Sequence, residues 1–221
     1  MNRTRRTALP CLLALALLAA AAAPALPAPA SLSAPAPEVP YADGWTLTAV
    51  LLAADPAAGA AVRNGLQGSV ADAAMPAVTL LAEGPGVAAT LAALYLAGEE
   101  ETAAEAALSV ACAGVLVTGA KWAVGRGRPD SDAPNSVHYL AGRPGYDSFP
   151  SGHTATAFAL ARVLARRYPE RSRLFYVLAG LVGLSRIYLN RHYPGDVAAG
   201  ALVGLYAADH ARSLPFWRTT F

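Results

Sequence analysis

The sequence predicts an all-α fold: a single-domain helical bundle of about six core helices, with its candidate site at helix amino termini. Three observations lead there. Hydrophobic residues make up 55% of the 221 residues and charged residues only 14%, so most of each element must be apolar. Alternating strand patterns are absent, while Ala, Leu and other helix formers run throughout. Prolines and glycines then punctuate the chain at helix-length intervals.

The amino terminus reads as an export signal over residues 1–23. Arg3, Arg5 and Arg6 form a positive start, an apolar run extends from Cys11 to Ala23, and Ala21-Ala22-Ala23 offers a small-residue cleavage site. An uncleaved membrane anchor has the same composition, so both forms stay open. Residues 24–40 are rich in Ala, Pro and Ser, which suits an extended linker. The helical domain is expected over 41–221.

Within it, helices are expected at 45–54, 57–67, 70–81, 87–98, 101–124, 152–168, 173–189 and 194–211. Asp55-Pro56, Gly84-Pro85-Gly86, Pro129 and Pro169 separate them. Glu99, Glu100, Glu101 and Thr102 read as a solvated helix start. Cys112 stands alone once Cys11 leaves with the signal, and reads as a small buried hydrophobe. His210 falls at the end of the last helix, where its charge suits the helix dipole.

Charge is distributed unevenly. Loss of the three early arginines changes 17 basic against 15 acidic residues into 14 against 15, so no nucleic-acid partner is implied. No Lys or Arg lies between Arg63 and Lys121, whereas the carboxyl half is rich in both cations and polar motifs.

Three blocks there carry the chemistry: Lys121-Trp-Ala-Val-Gly-Arg126-Gly-Arg128-Pro129, then Pro150-Ser151-Gly152-His153, then Ser185-Arg186 followed by Arg191-His192-Tyr-Pro194-Gly195-Asp196. Lys121 is the chain's only lysine, which sets a compact ammonium beside planar guanidiniums. Ser151 is a natural N-cap that places His153 in the first turn of a helix. Pro194 favours the first helical position, so His192 sits just outside another helix start. Two helix amino termini with Lys121, Arg128 and Arg186 make a site for a tetrahedral oxyanion. Asp196, four residues beyond His192, is placed to accept a hydrogen bond from one ring nitrogen and leave the other free to attack. His153 then serves as general acid. The long irregular stretch 129–150, with Asp130, Asp132, His138, Tyr139, Arg143, Tyr146 and Asp147, is expected to wall the pocket. Arg126 and Arg191 are expected at its edge, and His138 is expected in solvent more than in the wall.

The pattern Lys121-x6-Arg128-Pro129, Pro150-Ser151-Gly152-His153, Ser185-Arg186-x5-His192-x3-Asp196 resembles the type 2 phosphatidic acid phosphatase family. That family shares its site with vanadium haloperoxidases and bacterial class A acid phosphatases. The resemblance spans roughly residues 121–204 and implies a metal-independent phosphatase with a phosphohistidine intermediate and no cofactor. His192 would be the nucleophile, Asp196 its orienting partner and His153 the acid. Lys121, Arg128, Ser151, Gly152 and Arg186 would bind the phosphoryl oxygens, and vanadate would inhibit.

The substrate class implied is a phosphorylated lipid or isoprenoid phosphate, with a small soluble phosphate ester, as for a periplasmic acid phosphatase, as the alternative. A vanadium-dependent haloperoxidase, with vanadate as cofactor, and a non-catalytic anion-binding envelope protein are further alternatives. Export implies periplasm or envelope, with the site facing the periplasm if the chain is membrane-embedded. Apart from 106–120, continued by 122–124, the apolar runs are shorter than the roughly 20 residues a spanning helix needs. A compact soluble bundle and an inserted one are therefore both compatible with the sequence.

Overall fold

A computed structural model of the chain describes residues 41–140 and 145–214; the signal, the linker and Arg143 lie outside the described residues. The described chain folds into helices α1 (Tyr41–Leu66), α2 (Ser69–Thr79), α3 (Gly84–Leu96), α4 (Glu100–Val124), α5 (Gly152–Arg167), α6 (Ser172–Tyr188) and α7 (Pro194–Ala211). Short 3₁₀ turns cover Leu80–Ala82 and Pro169–Arg171. Among the described residues there is no strand, only an isolated bridge between Arg126 and Val137.

The expected break at Asp55-Pro56 does not occur. Residues 41–66 form one helix with Pro56 inside it. Proline in a helix interior costs about 3 kcal/mol, and here the tertiary contacts made by Asp55 next to it oppose that cost. The continuous helix changes the membrane question. Both α1 and α4 are long and apolar enough to cross a membrane, and residues Val70–Ala82 with Gly84–Leu96 pass the same test as one pair bent by 58°. Large apolar side chains on these helices face outward: Val50 on α1, Leu96 on α3, Val115 and Trp122 on α4. So wide an exposed apolar surface fits lipid better than water.

Parallel helices α5 and α7 form the centre of the bundle. Their approach is set by small residues. A Cβ on Gly204 would lie 2.2 Å from the Ala155 carbonyl oxygen, and one on Gly200 would lie 2.5 Å from that of Ser151. Ala155, Ala159, Ala207 and Ala208 complete this seam, nearly or wholly buried. Helix α1 runs antiparallel to α7, with Tyr41 donating to Asp209 at 2.7 Å at one end and Asp55 meeting Gly195 at the other. Helices α4 and α6 run opposite to α5, so the amino termini of α5 and α7 meet the carboxyl termini of α4 and α6 at one end.

The other end is polar too, and here the solvated helix start expected at 99–102 is corrected. Glu99 pairs with Arg167, and Glu101 with Arg212. Glu105, only 4% exposed, pairs with Arg166 at 2.5 Å, and Arg166 and Arg162 both reach Asp209. Carboxylates spaced along the first turns of α4 meet arginines from the last turns of α5, where a helix-period spacing puts them on facing surfaces. Cys112 is half-buried rather than buried, a free thiol packed beside Ala113 and Val117.

Candidate active site

The first block turns away from α4 through glycine. Gly125 caps the helix in the left-handed conformation with φ 57°, and its N–H donates to the Lys121 carbonyl. A Cβ there would meet the His138 carbonyl oxygen at 2.1 Å, and one on Gly127 would meet that of Ala133 at 2.2 Å. The two glycines thus let the 126–138 loop fold back on itself. Arg126 between them points inward, whereas Lys121 and Arg128 face the loop that leads to the second block. Lys121 Nζ donates to the Asp147 carbonyl, and Arg128 Nη2 lies 2.6 Å from Asp147 Oδ2.

The second and third blocks are joined by backbone. Ser151 N–H donates to the Asp196 carbonyl at 2.9 Å, which fixes the start of α5 against the first turn of α7. Ser151 caps α5 as expected, accepting from Thr154 Oγ1 at 2.8 Å and, more loosely, from Thr154 N–H at 3.5 Å. Gly152, where α5 begins, faces Val117 of α4.

His192 is 2% exposed, and the Nδ1 atom of its ring lies 2.7 Å from the Ser148 carbonyl oxygen. A carbonyl can only accept, so Nδ1 carries the proton and Nε2 keeps its lone pair. The expected partner, Asp196, stands off: its Oδ2 is 3.7 Å from Nδ1, an ion-pair distance too long for a hydrogen bond. The Asp196 carboxylate instead accepts from Ser148 Oγ at 2.5 Å, from the Tyr193 N–H at 3.0 Å and from Arg126 Nη1 at 2.6 Å. The reason is competition. Three donors surround the buried carboxylate, and the carbonyl of Ser148 is nearer the ring. Asp196 thus acts on the ring by charge and by anchoring Ser148.

Arg126 is a buried hub and not a pocket-edge residue. Its Nη1 also reaches Asp55 Oδ2 at 2.8 Å, its Nε reaches Asn135 Oδ1 at 3.0 Å, and its guanidinium lies 4.2 Å above the Tyr193 ring. Asp55, 0% exposed, takes the Gly195 N–H at 2.6 Å with its other oxygen. Two carboxylates and one guanidinium thus tie α1, the first loop and α7 together. Sequence reading missed Asp55, because a single acid before a proline looks like a turn. Asp55→Asn should destabilise the fold by about 3 kcal/mol, since it weakens a buried pair without removing its partner. Thermal unfolding of the detergent-solubilised protein measures this, and an unchanged midpoint would show the pair to be unimportant.

The remaining predicted cations gather around His153. The cations acting on its ring are Arg186, Arg128 and Lys121, with His192 as its titratable neighbour. Arg186 is held by Thr79, whose Oγ1 accepts from Nη1 at 2.7 Å. Neither Arg128 Nε nor Arg186 Nε, both buried, has an acceptor among the described residues. Donors left in that state are ready for ligand oxygens. Beside Arg128 opens a cleft of about 710 Å³ lined by Lys121, Trp122, Arg128, Tyr146, Asp147 and Arg191, among others. Arg191 is half-exposed at its rim, paired with Asp130 at 2.5 Å. His138 is exposed, edge-on to Tyr146 at 4.5 Å, and His210 bonds the Tyr206 carbonyl at the far end of α7. Neither joins the site.

Burial holds His192 neutral below its ordinary range, and burial with the Arg186 charge lowers His153 to about 4. Unfolding frees both rings to titrate near their ordinary value of about 6.5. The unfolded chain therefore binds more protons between about pH 6.5 and 4, and stability should fall as pH falls through that window. Inorganic phosphate in the cage opposes the cationic field and should shrink the loss. Unfolding midpoints across pH 4–7, with and without phosphate, test this; a phosphate-independent slope would contradict it.

Three cations, a neutral buried imidazole with a free lone pair and a second imidazole form a site suited to a phosphoryl-type oxyanion. The chain belongs to the PAP2 superfamily, whose model matches residues 102–219. Among curated proteins it is 39% identical over 115 residues to the lipid A 1-phosphatase of Porphyromonas gingivalis, covering 50% of this chain and 22% of that protein. It is 34% identical over 101 residues to the lipid A 1-phosphatase of Rhizobium johnstonii, covering 44% and 41%. The chain thus spans less than half the length of either relative. Among solved structures it resembles LpxE of Aquifex aeolicus, with a TM-score of 0.62 and 26% identity, over 72% of this chain and 95% of that one.

Proposed function

We propose that the protein is a metal-independent phosphatase of the cell envelope that removes phosphate from a membrane lipid through a phosphohistidine intermediate. The orphaned Nε–H groups of Arg128 and Arg186, together with the free Nε2 lone pair of His192, carry the proposal, because they offer charged donors to the oxygens of a group that Nε2 can attack. Lys121, with the start of α5 at Ser151 and Gly152, completes the cradle and stabilises charge spreading over the equatorial oxygens. His192 displaces the leaving group with the charge of Asp196 behind it, and His153 protonates the departing oxygen and then activates water.

The outward apolar faces of α1 and α4 support a substrate that arrives within the bilayer. They favour a lipid phosphate over a small soluble ester, and the names of the relatives make a lipid A-type phosphate the first to try. The envelope side that fits is the periplasmic one, reached by the signal or anchor of residues 1–23.

The test is phosphate release by detergent-solubilised full chain, with chelator present, from lipid A, a polyprenyl diphosphate, phosphatidate and an aryl phosphate. Preferred turnover of one lipid, inhibited by vanadate, is the expected result. A divalent-metal requirement would overturn the mechanism. Preference for the aryl ester would favour the soluble-ester alternative, and peroxidase activity dependent on vanadate and peroxide a haloperoxidase. Phosphate binding without turnover of any substrate would leave an anion-binding protein.

A further inference from the structure

Two polar groups reach the catalytic centre from the helical pair α2–α3, which lies outside the region matched by the family model. The pair bends by 58° at Glu83, between residues Val70–Ala82 and Gly84–Leu96. The bend is written into the sequence. A Cβ on Gly86 would sit 2.3 Å from the Leu80 carbonyl oxygen and 2.9 Å from that of Leu81, so α3 can start against the preceding 3₁₀ turn only with glycine there. Glu83 is extended, with φ −86° and ψ 162°, and its carbonyl accepts from the Val87 N–H at 2.9 Å. This conformation stands the Glu83 side chain beside the site. Its Oε1 lies 3.7 Å from His153 Nε2, while Thr79, four residues earlier, holds Arg186.

We propose that Glu83 is a positioning residue for the general acid: its carboxylate takes the Nε2–H of His153 and turns Nδ1 toward the leaving-group oxygen. The inference rests on the phosphatase function proposed above. A carboxylate at this place is otherwise hard to account for, since a half-exposed acid beside an anion cradle repels the substrate. Its charge acts on the histidine and also on Arg186. The 3.7 Å separation is ion-pair range, and protonation of His153 draws the two groups to hydrogen-bond distance.

The proton balance is simple. As the bond from His192 Nε2 to phosphorus forms, the bond from phosphorus to the leaving oxygen breaks, and the proton on His153 Nδ1 passes to that oxygen. Water then adds to phosphorus, gives a proton to His153 Nδ1, and the P–N bond breaks with its electron pair returning to His192. Glu83 gains and loses nothing. It offsets the cations that oppose a charged His153, namely Arg186, Arg128 and Lys121, together with the neighbouring His192.

The experiment compares Glu83→Gln with wild type on a lipid phosphate, whose alkoxide needs a proton to leave, and on p-nitrophenyl phosphate, whose phenolate leaves unaided. The expected result is a fall of about 10- to 100-fold in kcat/KM on the lipid and a much smaller one on the aryl ester. In a His153→Asn background the same substitution should have no further effect. Equal losses on both esters, no loss on either, or an additive loss in the double variant would each overturn the assignment. If wild type hydrolyses neither ester, the proposed function fails first. The pairing is then read from the ¹⁵N shifts of the His153 ring in wild type and Glu83→Gln, where identical shifts would overturn it.

Discussion

His192→Gln is expected to lower lipid phosphate turnover by about 10⁵-fold or more while the protein stays folded and still binds vanadate. The magnitude follows from losing the only step that forms the covalent intermediate, with the oxyanion cradle left intact. Glutamine is close to imidazole in size and can donate to the Ser148 carbonyl, which His192 meets at 2.7 Å, so the buried acceptor is not abandoned. What it lacks is a lone pair of comparable basicity at the position of Nε2. Single-turnover experiments quenched in alkali sharpen the comparison, because wild type should accumulate alkali-stable, acid-labile phosphate on protein and the variant none. Residual turnover within about tenfold of wild type would remove His192 from the nucleophile role. A variant that also lost vanadate affinity would point instead to collapse of the cradle.

The second large effect lies away from the chemistry. Gly204→Ala should destabilise the fold by about 2–4 kcal/mol, an unusual cost for adding one methyl group to a helix. Alanine normally favours a helix over glycine by roughly 1 kcal/mol. Here the new Cβ would lie 2.2 Å from the Ala155 carbonyl oxygen and 3.0 Å from the Ala159 nitrogen, both backbone atoms of α5 that cannot rotate aside. The helices must separate, and the Ser151–Asp196 backbone hydrogen bond at their site end is strained with them. Activity should fall along with the unfolding midpoint. Gly114→Ala is the control, since nothing lies within 4 Å of that position and no such loss is expected. Equal midpoints for the two variants would show that the seam tolerates expansion.

Much of this was legible in the residues. The breakers at Gly84-Pro85-Gly86, Pro129 and Pro169 mark real helix ends, and Ser151 and Pro194 sit where capping preferences put them. Of the blocks' cations, Lys121, Arg128 and Arg186 act on His153 by their charge, while Arg126 and Arg191 pair elsewhere. What stayed hidden depended on distant partners. Pro56 reads locally as a stop, yet α1 continues because Asp55 beside it is tied to Arg126 and Gly195, some 70 and 140 residues away. Arg126 fits no motif position, so nothing local distinguishes a buried hub from a pocket-edge arginine. A spacing of four suggested that Asp196 bonds His192, and it does bring them within ion-pair range. Spacing could not reveal that Ser148, in the loop just before the second block, would take the ring N–H. Glu83 gave no signal at all, because its role depends on a bend angle and not on its neighbours in sequence.

The backbone hydrogen bond between Ser151 and Asp196 divides labour between the walls of the protein. It sets the acid in the first turn of α5 and the nucleophile just ahead of α7, two helices locked along their length, so the gap between them is a property of the frame rather than of the ligand. The opposite wall, from the bend at Glu83 to the loop around Asp147, is jointed and carries none of that tolerance. Drift at positions of that wall other than Thr79, Glu83 and Asp147, which touch the charged groups of the site, can therefore change what the cleft admits while the frame stays as it is.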